Sequence, residues 1–182
     1  MKKNIRKEML EKLTSQEPAR RLEKSIRIQK KLFQEVEFIR AQCVMFYVSM
    51  DGEVDTTRMI DESLEMGKRV CVPMIVEDKK TLIAAEIHNR LQDLEKGHYG
   101  IYQPKACGVR PVPLDDIDVI IVPGIIFDRN NMRMGRGRGY YDRFLCRLPH
   151  HSKTIGLAFD FQVVENLPVD PHDIPVDRII SA

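Results

Sequence analysis

Residues 117–124 read IDVIIVPG. Val119 through Pro123 form five consecutive apolar positions, closed by Gly124. A strand with one wet face alternates apolar and polar residues. A short unbroken apolar run between turn residues belongs to a strand buried on both faces. Working outward, CVMFYVSM (43–50) and RVCVPMI (69–75) read as two more strands, the second stopped by Pro73, and LIAAEIH (82–88) as a third nearer an edge. Downstream, KTIGLAF (153–159) and VDRIISA (176–182) read as strands, and FQVVENLP (161–168) as a short helix or turn.

Helical periods lie between these runs. Ile5, Met9 and Leu13 share a face over 2–13, opposite Lys2, Lys3, Arg6 and Lys7. A second helix opens with Ser15 or Thr14 as cap and Pro18 in its first turn, and carries Leu22, Ile26, Gln29 and Phe33 on one face. Asp55 or Thr56 caps a third, which ends at Gly67. YYDRFLCRL (140–148) reads as a helix with Phe144 and Leu148 on one side. Residues 88–117 give only a short helical patch, HYGIYQP and a proline-bearing loop. Strands alternating with helices predict an α/β fold with a mostly parallel sheet covered on both faces. Ligands of such sheets bind at the carboxyl ends of the strands.

One such end leads into MRMGRGRGYYDRFL (132–145). Six arginines fall within 129–147: Arg129, Arg133, Arg136, Arg138, Arg143 and Arg147. Gly135, Gly137 and Gly139 alternate with Arg136 and Arg138. Alternate glycines reach positive φ, and successive N–H groups turned one way form an anion-binding nest. The helix that follows adds its positive amino end. Guanidinium forks match phosphate oxygens. All of these favour a polyphosphate, and a carboxylate beside it, Asp142, calls for a cation between them, usually Mg²⁺. No GK[ST] closes the loop, so it is not a Walker A motif, and Tyr140 stands where GxGxxG needs its third glycine.

The bulk numbers agree with a catalytic domain. The chain has 182 residues, 43% of them hydrophobic, which suits one domain with a core that needs no disulfides. Net charge is only +2, from 29 basic and 27 acidic residues, so the positive charge marks a site rather than a nucleic-acid-coating surface. Cys43, Cys71, Cys107 and Cys146 have no CxxC spacing, and no apolar run approaches the roughly 20 residues of a membrane span. A reduced, cytoplasmic, monomeric protein without a nucleic-acid or membrane partner is expected. His150 and His151, with His172 downstream, read as solvated loop residues rather than metal ligands, and Asp128 either lines the site or caps a turn.

The stretch VPGIIFDRNNMRMGRGRGYYDRFL (122–145) closely resembles the signature of the 5-formyltetrahydrofolate cyclo-ligase family. KKNIRKEM, FYVSMDGEVDT, GKRVCVPMI, YGIYQP and IPVDRII fall in the family's order, so the resemblance runs along nearly the whole chain. It implies a three-layer α/β/α sandwich and a single domain over 1–182, with basic helices at about 2–34 packed on the core. It implies ATP- and Mg²⁺-dependent conversion of 5-formyltetrahydrofolate, free or polyglutamylated, into 5,10-methenyltetrahydrofolate. Carried over residue by residue, Lys2, Lys3, Asn4, Ile5 and Arg6, together with Arg133, Met134, Gly135, Arg136, Gly137, Arg138, Gly139, Tyr140 and Tyr141, would hold ATP. Val48, Glu53, Tyr99, Gln103 and the span Arg136–Tyr140 would meet the folate, with Arg136, Arg138 and Tyr140 catalytic, and Asp142 and Asp177 would hold Mg²⁺. Tyr140 or Tyr141 would stack on a ring or orient the formyl group. Arg138 stands where the family often has lysine, Gln103 where many members have glutamate, and Asn131 where a turn glycine is common. Asparagine tolerates φ > 0, so that turn is expected to survive.

Overall fold

The computed structural model describes residues 2–76, 81–97 and 100–182. In chain order its elements are α1 (Lys2–Thr14), α2 (Pro18–Leu32), α3 (Val36–Arg40), β1 (Cys43–Met45), α4 (Thr57–Glu65), β2 (Arg69–Val76) and β3 (Thr81–Ile87). Then come α5 (Arg90–Asp93), β4 (Leu94–Lys96), β5 (Tyr102–Pro104), β6 (Pro111–Val112), β7 (Val119–Val122), β8 (Ile126–Asp128) and β9 (Arg133–Met134). The last are α6 (Tyr140–Leu145), β10 (Lys153–Ala158), β11 (Val163–Val164) and β12 (Arg178–Ser181).

A seven-stranded sheet runs β12-β10-β7-β1-β2-β3-β6. The strands from β12 to β2 are mutually parallel, while β3 and β6 are antiparallel additions at one edge. The central strand β7 explains the three layers. Its Val119 and Ile121 join the core beneath α1–α4 with Leu13, Ile28, Leu32, Phe38 and Met59. Its Ile120 and Val122 face the other core, under Phe144 and Leu145 of α6. All four are buried, as the unbroken apolar run required.

Several local expectations change. Pro73 does not stop β2, and pairs with Ala84 in the middle of the β2–β3 ladder. The β1 ladder ends opposite Cys71, so the missing Pro73 N–H lies past the point where that neighbour needs it. Thr14 and Ser15 do not cap α2. Their hydroxyls donate back to Leu10 and Lys12 carbonyls and close α1, while α2 opens at Glu17 with Pro18 as its first residue. Its buried face is Ser25, Ile28, Gln29 and Leu32, with Leu22 exposed. Asp55 rather than Thr56 caps α4, its Oδ1 accepting the Thr57 N–H at 2.8 Å. The proline-bearing region holds a hairpin, β4–β5, that the pattern did not disclose.

Beyond β7 the chain makes a second, small sheet, β11-β8-β9. It is pinned to the large sheet by Phe127, which is fully buried over two glycines. A Cβ at Gly124 would fall 2.4 Å from the Phe127 Cζ, and one at Gly156 would fall 2.5 Å from its Cε1. Gly156→Ala is therefore expected to destabilise the protein by about 1–3 kcal/mol, because the ring must leave its rotamer or push β10 away. Urea unfolding would measure this, and a neutral result would mean that Phe127 repacks freely.

Candidate active site: the glycine-arginine loop, α1 and the turn at Glu53

The loop is mounted on a stiff hairpin. Buried Asp128 accepts the Asn130 and Met132 N–H groups on Oδ1 and the Leu167 N–H on Oδ2, so it organises a turn and does not line the site. Asn131 takes φ 62, as expected for the residue standing in for glycine. The hairpin then delivers the 135–139 loop to the carboxyl-end side of β7. Gly137 (φ 90) and Gly139 (φ 66) bend it into α6, which has only six residues. The positive character of the loop therefore comes chiefly from side chains. Arg136 and Arg138 are exposed, and the Arg138 carbonyl accepts from the Arg143 Nη2 at 3.2 Å. The Arg143 guanidinium also covers the Tyr140 ring at 5.2 Å.

Two basic groups of α1 reach other segments, Arg6 the loop and Lys2 the 170–173 stretch. The Arg6 Nε donates to the Gly135 carbonyl at 2.9 Å, and its guanidinium lies 3.3 Å from where a Gly137 Cβ would stand. The Lys2 ammonium bridges Asp170 and Asp173 at 2.6 and 2.7 Å. Burial pulls that ammonium down, but the two carboxylates prevail and raise it above its ordinary value. Burial likewise pushes the Asp173 carboxyl up, and the Lys2 bond and the Asp170 N–H outweigh it and hold Asp173 low. Ile5 faces the core, while Lys3 and Asn4 are exposed and line an open groove of about 570 Å³ with Arg6, Lys7 and Arg136.

Beneath the loop sits Arg133, its side chain 3% exposed and its Nη2 2.6 Å from the Asp142 Oδ1. Burial draws this guanidinium below its ordinary value, while Asp142 and Asp173 oppose the shift. The Arg133 Nε and the Tyr141 hydroxyl are buried and find no hydrogen-bond partner among the described residues. The Arg133 guanidinium lies 5.6 Å from the centre of the Tyr141 ring, and burial raises the Tyr141 phenol well above its usual range. Met134 packs into the core.

Asp142 and Asp177 are not brought together. Asp177 stands at the amino end of β12, and its Oδ2 accepts the Thr154 N–H and hydroxyl at 2.7 and 2.9 Å. Thr154 pairs with Ile120, three residues before Pro123, whose carbonyl Arg133 approaches at 3.5 Å. Three residues of strand amount to roughly 10 Å. The acid that does stand beside Lys2, and near enough to act on Arg133, is Asp173, four residues earlier. Among the described residues, Asp170, His172 and Asp173 form a group whose ligand atoms lie within 4.8 Å of one another. The sequence offered a signal in the loop dipeptide His172-Asp173, but nothing local separates that aspartate from the one opening β12.

On the far side, Glu53 and Arg136 meet across 83 residues of chain. The Glu53 Oε1 accepts the Arg136 Nη2 at 2.9 Å and Nε at 3.3 Å. Its Oε2 accepts the Met50 N–H at 2.9 Å. Val48 packs at the edge of the same core. Gln103 lies on β5 against Gly97, where a Cβ would fall 2.4 Å from its Cδ, and Tyr99 lies outside the described residues. His150 is exposed, and the His151 Nε2 lies 3.1 Å from the Asp115 carbonyl.

The chain as a whole has relatives. Residues 1–182 match the 5-formyltetrahydrofolate cyclo-ligase family. The 5-formyltetrahydrofolate cyclo-ligase of Escherichia coli (strain K12) is 33% identical over 144 residues, which is 79% of each chain. The enzyme of that name from Mus musculus is 29% identical over 187 residues, 98% of this chain and 92% of its own. A solution structure of the 5,10-methenyltetrahydrofolate synthetase of Aquifex aeolicus superposes with a TM-score of 0.87 at 33% identity, over 99% of this chain and 89% of that one. Matched along its whole length, in sequence and in fold, the chain belongs to the 5-formyltetrahydrofolate cyclo-ligase family.

Proposed function

We propose that this chain closes 5-formyltetrahydrofolate to 5,10-methenyltetrahydrofolate at the expense of ATP, with Mg²⁺. The observation that carries the reading is the meeting of α1 and the glycine-arginine loop at a groove lined by Lys3, Arg6, Lys7 and Arg136, with Arg136 also bonded to Glu53. Lys3, Arg6, Arg136 and Arg138 bind and neutralise a triphosphate there, while Glu53 accepts hydrogen bonds from pterin N–H groups. A cation also fits. Asp142 and Asp173 offer carboxylate oxygens, both lie close enough to act on Arg133, and Asp173 belongs with Asp170 and His172 to a group whose ligand atoms lie within 4.8 Å of one another. Mg²⁺ held by Asp142 and Asp173 would screen the phosphate oxygens against one another.

In this scheme the formyl oxygen attacks the γ-phosphorus and ADP leaves. N10 then attacks the activated formyl carbon, phosphate departs, and N10 gives up its proton as the ring closes. Phosphoryl transfer needs positioning and charge neutralisation more than a side-chain nucleophile. Arg136 and Arg138 stabilise the charge on the transferring group. Arg6, bonded to the loop backbone, fixes where those guanidinium groups stand. Tyr140, the first residue of α6, lies with its ring under the Arg143 guanidinium. The second step is intramolecular and draws its rate from proximity.

The test is to mix the protein with 5-formyltetrahydrofolate, Mg²⁺ and ATP, and to follow the near-ultraviolet absorbance of the methenyl product together with released phosphate. Both should rise together and only when ATP is present. ATP hydrolysis without the methenyl band would overturn the folate half of the proposal. Asp142→Asn should raise the Mg²⁺ concentration needed for half-maximal rate by roughly 10–100-fold. An unchanged Mg²⁺ titration would remove Asp142 from the metal.

A further inference from the structure

Glu53 and Arg136 are each assigned a ligand above, yet without ligands they are each other's partner. One oxygen of Glu53 takes two donors from the Arg136 guanidinium, the other takes the Met50 N–H, and the carboxylate side chain is only 12% exposed. Arg136, at 40% exposure, reaches out of the loop into the groove lined by Lys3, Arg6 and Lys7. With Arg6 holding Gly135 and resting on Gly137, the loop at Arg136 is tied on one side to α1 and on the other to the 50–53 turn. While the pair stands, both Glu53 oxygens are engaged and the Nε and Nη2 donors of Arg136 are turned to Glu53 instead of to a phosphate.

We propose that the Glu53–Arg136 pair is a shared latch that makes nucleotide and folate bind synergistically. This rests on the functional reading above. A triphosphate, with several negative charges, outcompetes one carboxylate for Arg136 and takes it into the groove. That leaves Glu53 largely buried with an unpaired oxygen, which a buried charge tolerates poorly. A pterin, offering adjacent N–H donors, restores its partners. The first ligand to arrive breaks the pair, and the second finds it already broken. By linkage, each ligand must then tighten the other by the same factor.

Binding is measured with an imido analogue of ATP that cannot transfer its γ-phosphoryl group, plus Mg²⁺, and with 5-formyltetrahydrofolate, each alone and each at saturation of the other. In the wild-type protein each should tighten the other by roughly 5–150-fold. Glu53→Gln should weaken folate binding and tighten binding of the nucleotide alone by about 5-fold or more, because Arg136 no longer has to leave a carboxylate. The coupling factor should fall towards one. A residue with a merely structural role would weaken nucleotide binding or leave it unmoved. If both ligands bind wild-type protein independently, or Glu53→Gln leaves the nucleotide affinity unchanged, the latch is wrong and the enzymatic assignment stands. If neither ligand binds at all, the functional reading itself has failed.

Discussion

Arg138→Ala is expected to lower the rate of ATP-dependent cyclisation by about 10³-fold or more while leaving the unfolding midpoint where it was. The size follows from what a positioned guanidinium contributes to phosphoryl transfer, roughly 10³–10⁵ in kcat. The unchanged stability follows from the loop. Arg138 is an exposed residue between Gly137 and Gly139, both at positive φ, where side-chain contacts contribute little to stability, and its backbone carbonyl, bonded to Arg143, is kept by alanine. Arg138→Lys should recover part of the rate, since charge returns without the fork. Turnover measured beside a thermal melt decides the matter. A drop of only a few-fold would place Arg138 outside the chemistry.

The reverse signature is expected at Arg133. Replacing it with methionine should cost about 3 kcal/mol, the low end of what breaking a buried ion pair costs. The low end applies because Asp142, left behind, is 23% exposed and water can reach it. For a domain of this size the melting temperature should fall by roughly 6–12 °C. The double variant Arg133→Met with Asp142→Leu should be more stable than Arg133→Met alone, because the stranded carboxylate goes with it. If Arg133→Met melts within a degree of the wild type, the pair contributes nothing to the fold and the guanidinium is kept for its ligand.

These two arginines show what the sequence could and could not disclose. Both lie in one arginine-rich stretch, five residues apart, and composition alone treats them alike. Which one sinks into the core depends on the register of the β8–β9 hairpin, where Arg133 faces Phe127. The sheet was legible because β7 is apolar on both faces and because helical periods flank it. Pro73 misled because whether a proline ends a strand depends on how far the neighbouring strand extends, and β1 stops early. The cation-rich loop was legible as a concentration of positive charge from residue types at short spacing. Its acidic counterpart was not. Asp173 and Asp177 are both aspartates near the chain's last strand, and only Lys2, contributed by the first helix, tells them apart.

Phe127 and its two glycines carry a consequence for how this protein can change over evolutionary time. The ring occupies the space that side chains at 124 and 156 would need, so the three positions do not vary independently. A lineage could enlarge either glycine only after position 127 had become smaller, and once it had done so, phenylalanine could not return. The order of substitutions, and not their sum, would decide which sequences remain reachable, and this constraint falls on the hairpin from which the glycine-arginine loop springs.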